Sequence, residues 1–504
     1  MMTRCTTLTV LAVALSLGCD RAPLPPDEVA VPTSPAVDEP AATPAAVTQR
    51  QLHATVLGRP FGTIDVKREP LDGGGEKWTT QTRMTLALDD PGESAKTIDT
   101  IDVSEYAPGH VFVRGREEST EDGVVETVAT EVRGDSLFVK VTGPAHDRSH
   151  TIAIPADYSG EMIMFDKLRA EVAAGATLPR KATYSSFDDD ALAFESTTLT
   201  LVERTKVVVA GTPIDGWKVE SRDNTNDERV IAVLDDTGMP LRLEVGVFIA
   251  TAGEPDAGSG KDAPKLSSYL TVEGRVPSNA DTLTLKVTVT GDDPTDTAIF
   301  RDGPYQKVTR DGGVYTLALA AVRGDALAKA SLPLGEIPQD VRKFLEPTPT
   351  SQSDHADVAA RAKAIVGSST DARTAAVAIT QWVHDNLGKK DGTRGAATAV
   401  ETLEAGFGDC TEHAALTVAM LRAAGLPARN AGGIVLVPGF FSSDAGYHAW
   451  VEVWIGDWVA LDPALGRMRV GAHYMLLGYS EPGMSSGSAG LSRLIGRTQL
   501  AVVD

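Results

Sequence analysis

Polar and apolar residues alternate strictly over Thr282-Leu283-Thr284-Leu285-Lys286-Val287-Thr288-Val289, which marks a strand with one buried face. Alternating or β-branched runs at Arg83–Leu88, His110–Val113, Leu137–Val141 and Thr198–Val202 predict further strands. Turn signals lie between them, at Asp72-Gly73-Gly74-Gly75 and Asp236-Thr237-Gly238. Glu161–Ala174 reads as a short helix in this β background, and strand patterns resume from Ser267 to Val322. The period changes after Pro347. Residues 354–366 and 371–387 read as helices, the second with a stripe of Ala376, Ile379, Trp382, Val383 and Leu387 and a stop at Gly388. The pattern predicts an α+β chain. An antiparallel β-rich region over 51–346, split near the linker-like 251–266, precedes a mixed domain over 350–504.

The N-terminus follows neither pattern. Leu8–Leu17, LTVLAVALSL, is apolar, uncharged and too short to span a bilayer, as a signal-peptide core is. It ends in Leu15-Ser16-Leu17-Gly18-Cys19, which resembles the lipobox of bacterial lipoproteins, with Ser16 where Leu is usual. The resemblance implies a signal peptide over 1–18 and acylation of Cys19; the alternative is a plain secretory signal cut near Gly18. Residues 19–50 are rich in Pro, Ala and acidic side chains, which predicts a disordered tether between a membrane and a folded body.

Composition changes the picture at two points. The formal net charge of -22 repels polyanions, so nucleic acid is not an expected partner. The chain has three cysteines, Cys5, Cys19 and Cys410. With Cys5 lost in the signal and Cys19 acylated, Cys410 has no partner in an oxidising compartment, and a lone thiol there asks for a chemical reason.

Its neighbours supply one. In GDCTEHAALTVAMLRAAGLP (408–427), Asp409 and Glu412 have capping-box spacing, Ala414, Val418 and Leu421 form an apolar face, and Gly425 and Pro427 end the helix. Cys410 then sits in the first turn, where N–H groups and the positive end of the macrodipole favour a thiolate and a developing oxyanion. His413, on the same helix, reads as an exposed side chain. Downstream, Tyr447–Ile455 alternates as a strand with His448, Trp450, Glu452 and Trp454 on one face, and Trp458–Pro463 is a second strand. A two-residue Gly456-Asp457 turn would set Val451 opposite Asp462 and turn Asp462 away from His448. A three-residue loop, Ile455–Asp457, sets Trp454 opposite Trp458 and Trp450 opposite Asp462, within reach of His448; a bulge would correct the parity equally. We therefore expect the longer loop or a bulge, with Asp462 orienting His448.

The segments GDCTEHAALTVAMLRAAGLPAR, YHAWVEVWI and DWVALDP resemble the three blocks of the transglutaminase-like superfamily. The resemblance implies a papain-like fold with Cys410 as nucleophile, His448 as base and Asp462 as orienting acid, and no cofactor or metal. It further implies an amidase, peptidase or acyltransferase acting on a protein or peptide, such as a cell-wall peptide. The competing reading is a catalytically silent binding module on a membrane tether. The expected location is the cell envelope, on the periplasmic face if the membrane system is Gram-negative. The anchor is tested by fractionation: Cys19→Ser should move the protein from the membrane to the soluble fraction, and a variant that pellets like wild type refutes acylation at this position.

Overall fold

The computed structural model describes residues 47–503 apart from 89–95, 122–123, 144–145, 189–191, 225–228, 254–264, 267–268, 278–279, 293–297, 322–329, 390–397, 437–444 and 480–490. The expected signal peptide, Cys19 and most of the tether lie outside the described residues, as does most of the 251–264 linker. No described helix is long and apolar enough to cross a membrane.

Strands dominate, and their alternation explains the largest sheet. Eight strands from Thr48 to Ala153 form one antiparallel meander and six from Arg180 to Ala252 form another. The two join where Thr48–Val56 pairs with Phe248–Ala252. The four strand runs and the turns at residues 72–75 and 236–238 all fall here. His110 is the exception: it sits at positive φ in the turn before the strand Val111–Glu121, because the chain must reverse there. The first strand begins at Thr48, so the last residues assigned to the tether pair with Lys67 and Arg68 instead. The helix Glu161–Ala173 bridges the meanders and buries Met162, Phe165 and Leu168.

The expected strand Thr282–Val289 forms with those bounds, its Leu283, Leu285, Val287 and Val289 buried. It lies in a second sheet ordered Val272–Glu273, Thr498–Val503, Thr282–Val289, Val314–Ala320, Gln306–Asp311. The segment from 350 onward therefore shares a sheet with residues 272–320. A third sheet, ordered Tyr269–Leu270, Ala445–Trp454, Ala428–Leu436, Tyr474–Tyr479, carries Trp458–Leu461 beside its Ala445–Trp454 strand. Helices Ala356–Val366, Ala372–Asn386 and Cys410–Ala423 pack against it around one core that includes Val358, Ile379, Leu416, Leu421, Val451 and Val453. Of the predicted stripe, Ala376, Ile379 and Val383 are buried, whereas Trp382 sits at the core's edge with the Arg361 guanidinium over its ring. The helix ends before Gly388, because Leu387 already has extended backbone. A further helix, Ala399–Ala405, is closed by a Thr398–Glu401 capping box and was not legible in the hydrophobic pattern. Seven residues are too few to show a period.

Side chains lock the second and third sheets together. Buried Gln306 donates to the carbonyls of Arg301 and Leu476, both at 2.8 Å, and accepts from the Leu476 N–H at 2.9 Å. It thereby supplies the partners that Leu476 needs beside the register shift at Gly432/Gly433. Next to it, the Tyr305 hydroxyl accepts from the Trp450 indole at 2.9 Å. Gln306→Ala leaves the Leu476 N–H and C=O buried and unpaired and is expected to cost about 2–3 kcal/mol. Denaturant titration of the variant checks this, and a midpoint equal to wild type would show that the Leu476 groups find other partners.

Candidate active site

The helix that carries Cys410 begins as its sequence requires. Asp409 has extended backbone and its side chain accepts from the Thr411 N–H at 2.8 Å and from the N–H of Glu412. Glu412 reaches back to the Asp409 N–H at 2.9 Å, which closes the capping box. Glu412 packs so closely over Gly408 that a Cβ there would lie 2.4 Å from the Glu412 Cβ, so only glycine fits. The His413 N–H bonds the Asp409 carbonyl. The cap thus consumes the N–H groups of Thr411, Glu412 and His413. The supply of open donors expected at the helix start contracts to the Cys410 N–H itself.

The helix is buried all round rather than on one face, with Glu412 through Arg422 buried. In the first turn the Cys410 side chain remains partly exposed. His413 is buried as well, contrary to the exposed side chain expected. Its Nδ1 lies 2.6 Å from the Asp409 carbonyl oxygen, so Nδ1 carries the proton and donates. Burial lowers its pKa and keeps the ring neutral. His384, at the end of the Ala372–Asn386 helix, likewise donates from Nδ1, to the Pro463 carbonyl at 2.9 Å.

The hairpin has the longer loop. Trp454 pairs with Trp458, Val453 with Val459, Glu452 with Ala460 and Val451 with Leu461, so the loop is Ile455–Asp457. The Ile455 N–H closes it on the Asp457 carbonyl at 3.0 Å. Asp462 leaves this ladder to bridge Arg467, and its parity is the one argued from sequence. His448 Nε2 lies 2.8 Å from Asp462 Oδ2. That assigns Nε2 as the donor and leaves Nδ1 for Cys410, whose thiol is close enough to hydrogen-bond the ring. The structure thus brings Cys410, His448 and Asp462 together in one chain of contacts.

Two further partners of Asp462 were not seen in the sequence. The Tyr474 hydroxyl donates to Asp462 Oδ2 at 2.6 Å, and the Leu465 N–H donates to Oδ1 at 2.9 Å. Tyr474 lies in GAHYMLLGY, whose apolar run signals a buried strand but not a hydroxyl aimed at a carboxylate. Trp450 stacks beside His448 at 6.5 Å between centroids and meets Tyr474 edge-on at 5.2 Å.

These contacts set the charges. Burial alone disfavours the His448 imidazolium, but the Asp462 charge, its hydrogen bond and the adjacent Cys410 outweigh burial and push the pKa up to about 10. For Asp462, burial favours the neutral acid. The His448 charge and the hydrogen bonds from His448, Tyr474 and Leu465 overcome it and hold the carboxyl below its usual range. Burial and the Asp462 charge raise Tyr474, so its hydroxyl stays a donor. At neutral pH the site therefore holds an imidazolium against a carboxylate, beside the Cys410 sulfur at a helix start. Among the described residues, no cluster of three or more His, Cys, Asp or Glu side chains has metal-binding geometry.

Asp462→Asn tests the electrostatics. His448 has a folded pKa above its usual 6.5, so its contribution to stability is complete below about 6.5 and fades as pH rises towards 10. Wild-type unfolding free energy should decline across that window, and the amide, which carries no charge, should flatten the decline. Denaturant unfolding at a series of pH values measures this; equal slopes in the two proteins would show that Asp462 does not hold the proton on His448.

A profile of the Transglutaminase-like superfamily matches residues 359–463, which includes Cys410, His448 and Asp462. An uncharacterised protein of Mycobacterium leprae is 32% identical over 97 residues, or 18% of this chain and 34% of its own length. The chain therefore spans about a third of the curated relative it matches. A Cytophaga hutchinsonii crystal structure described as a candidate cysteine protease overlaps 45% of this chain and 87% of its own, at 16% identity and a TM-score of 0.32. A β-barrel-like protein of unknown function from Brucella abortus overlaps 41% of this chain and 94% of its own, at 13% identity and a TM-score of 0.31.

Proposed function

From a chain whose residues 359–463 form a transglutaminase-like domain, we propose that it is a thiol-dependent amide-bond enzyme of the cell envelope. The observation that carries the reading is the contact chain from Cys410 at a helix N-terminus through His448 to Asp462, with His448 bonded to Asp462 at 2.8 Å. The Cys410 thiolate attacks an amide carbonyl, and the Cys410 N–H stabilises the oxyanion. The His448 imidazolium gives its proton to the leaving amine as the C–N bond breaks, leaving a thioester and a neutral ring. That ring then takes a proton from water or from an amine as it attacks the thioester. The product acid or new amide departs, and the thiolate and imidazolium are restored. Asp462 keeps the ring aligned throughout, and Tyr474 and the Leu465 N–H keep Asp462 aligned.

The setting of the reaction rests on the sequence. A lipobox-like Cys19 and a Pro-rich, acidic tether support display from a membrane, and the excess of acidic side chains disfavours anionic polymers as partners. Proteins or peptides, cell-wall peptides among them, are the substrate class that this chemistry serves.

Cys410→Ala should fold as wild type does and lose about 10³-fold or more in turnover. The assay follows amide cleavage in cell-wall peptides and proteins, with and without a primary amine. Retained turnover in Cys410→Ala would remove the thiol from the mechanism. Amine incorporation into product marks transfer, and release of free acid alone marks hydrolysis. Independently, iodoacetamide at mildly acidic pH should alkylate Cys410 in the native protein within minutes, and a Cys410 that stays unlabelled would mean that no thiolate forms there.

A further inference from the structure

An apolar cavity of about 80 Å³ lies within the large N-terminal sheet, apart from the thiol site, and no described residue after Ala250 lines it. It sits at the seam between two apolar cores. One is built on Leu52, Phe61 and Trp78, the other on Phe165, Leu199 and Val219. Leu243 packs against both cores, yet they do not merge, and the gap between them is the cavity. The strands behind it are tied by backbone pairing from Leu52–Val56 to Phe248–Ala252, so the walls cannot collapse inward to fill it. Met162 and Phe165 of the Glu161–Ala173 helix line its other side.

The lining specifies the guest. Among the described lining residues, Thr80 and Ser221 contribute hydroxyls and Glu161, in the first turn of the helix, is the one charged side chain; nearly all the rest is aliphatic or aromatic. A space of this character stays dry and takes apolar guests. At about 10–15 Å³ of such space for each water-sized group, it holds a run of about five to eight methylenes. Its lining offers a peptide backbone too few partners for its N–H and C=O groups. No described lining residue is basic, so an anionic head group would find no counter-charge there. We propose that this cavity binds the short alkyl chain of a neutral amphiphile. The N-terminal half of the protein is then a ligand-binding module, a function separate from the thiol chemistry.

The test uses the full-length protein and calorimetric titration with 1-hexanol or with hexanoate. Wild type should bind one 1-hexanol, at least about ten-fold more tightly than hexanoate. Ala232→Phe places a ring in the cavity, since Ala232 lines it, and should abolish 1-hexanol binding while circular dichroism stays unchanged. If Ala232→Phe does not fold, native mass spectrometry of wild type with 1-hexanol decides: one adduct supports the site and none refutes it. Absence of 1-hexanol binding by wild type overturns the proposal. So does equal binding by folded Ala232→Phe, or hexanoate binding as tight as that of 1-hexanol.

Discussion

A carboxylate with no exposure to solvent has to be satisfied by protein alone, and Asp462 is such a group. Its partners come from three separate places: His448 on one strand, Tyr474 on another, and the Leu465 N–H in the turn that follows it. Removing any one leaves part of a buried charge uncompensated. The central sheet must therefore hold these elements in register, and the apolar packing behind them has to serve that register. Trp450 and Tyr474 fill the space beside His448, and Tyr305 holds the Trp450 indole from the neighbouring sheet. The interaction that orients the candidate base is thus the one that fixes the relative positions of three strands.

The same logic explains a second buried ion pair behind the first. Glu452 shares the His448 face of its strand and is fully buried, with Arg429 at 2.8 Å. Arg429 lies over the rings of Trp458 and Tyr479 at 3.8 Å and 3.5 Å, so the guanidinium is held by aromatic faces as well as by charge. Burial raises the Glu452 pKa against the pull of Arg429, which marks how much desolvation this pair sustains. Glu452 stands four positions along the strand from His448. Each carboxylate, Asp462 or Glu452, is screened by its own cation, His448 or Arg429.

Much of this was legible because it is local. The capping box at Asp409 and Glu412 is a spacing, and the hairpin parity follows from counting alternate residues between His448 and Asp462. A turn signal alone would have suggested the shorter Gly456-Asp457 loop; the demand that the two side chains meet argued for the longer one. What stayed hidden depends on pairing between distant segments. Thr498–Val503 completes a sheet with residues 272–320, a contact that no window of sequence contains. Tyr474 is hidden for the same reason, since its strand's burial is visible and the aim of its hydroxyl is not. His413 was misjudged because one helix face was taken as open, whereas this helix is buried from Glu412 to Arg422.

Enclosure of that helix also ties the thiol to the rest of the molecule. Glu401, the capping-box residue of the short helix just before Cys410, receives Arg148 from the first meander at 2.7 Å and 2.9 Å. Glu401 therefore serves two masters: it closes its own helix at Thr398 and anchors that helix to the large sheet. On the other side, Tyr447, one residue before His448, packs against the core of the large sheet and against the core of the second sheet. Protein interiors are close-packed and transmit displacement rather than absorb it. A shift of the large sheet would press at once on the segment leading into Cys410 and on the strand that carries His448. The N-terminal sheet is thus in direct contact with the helix that precedes Cys410 and with the residue that precedes His448.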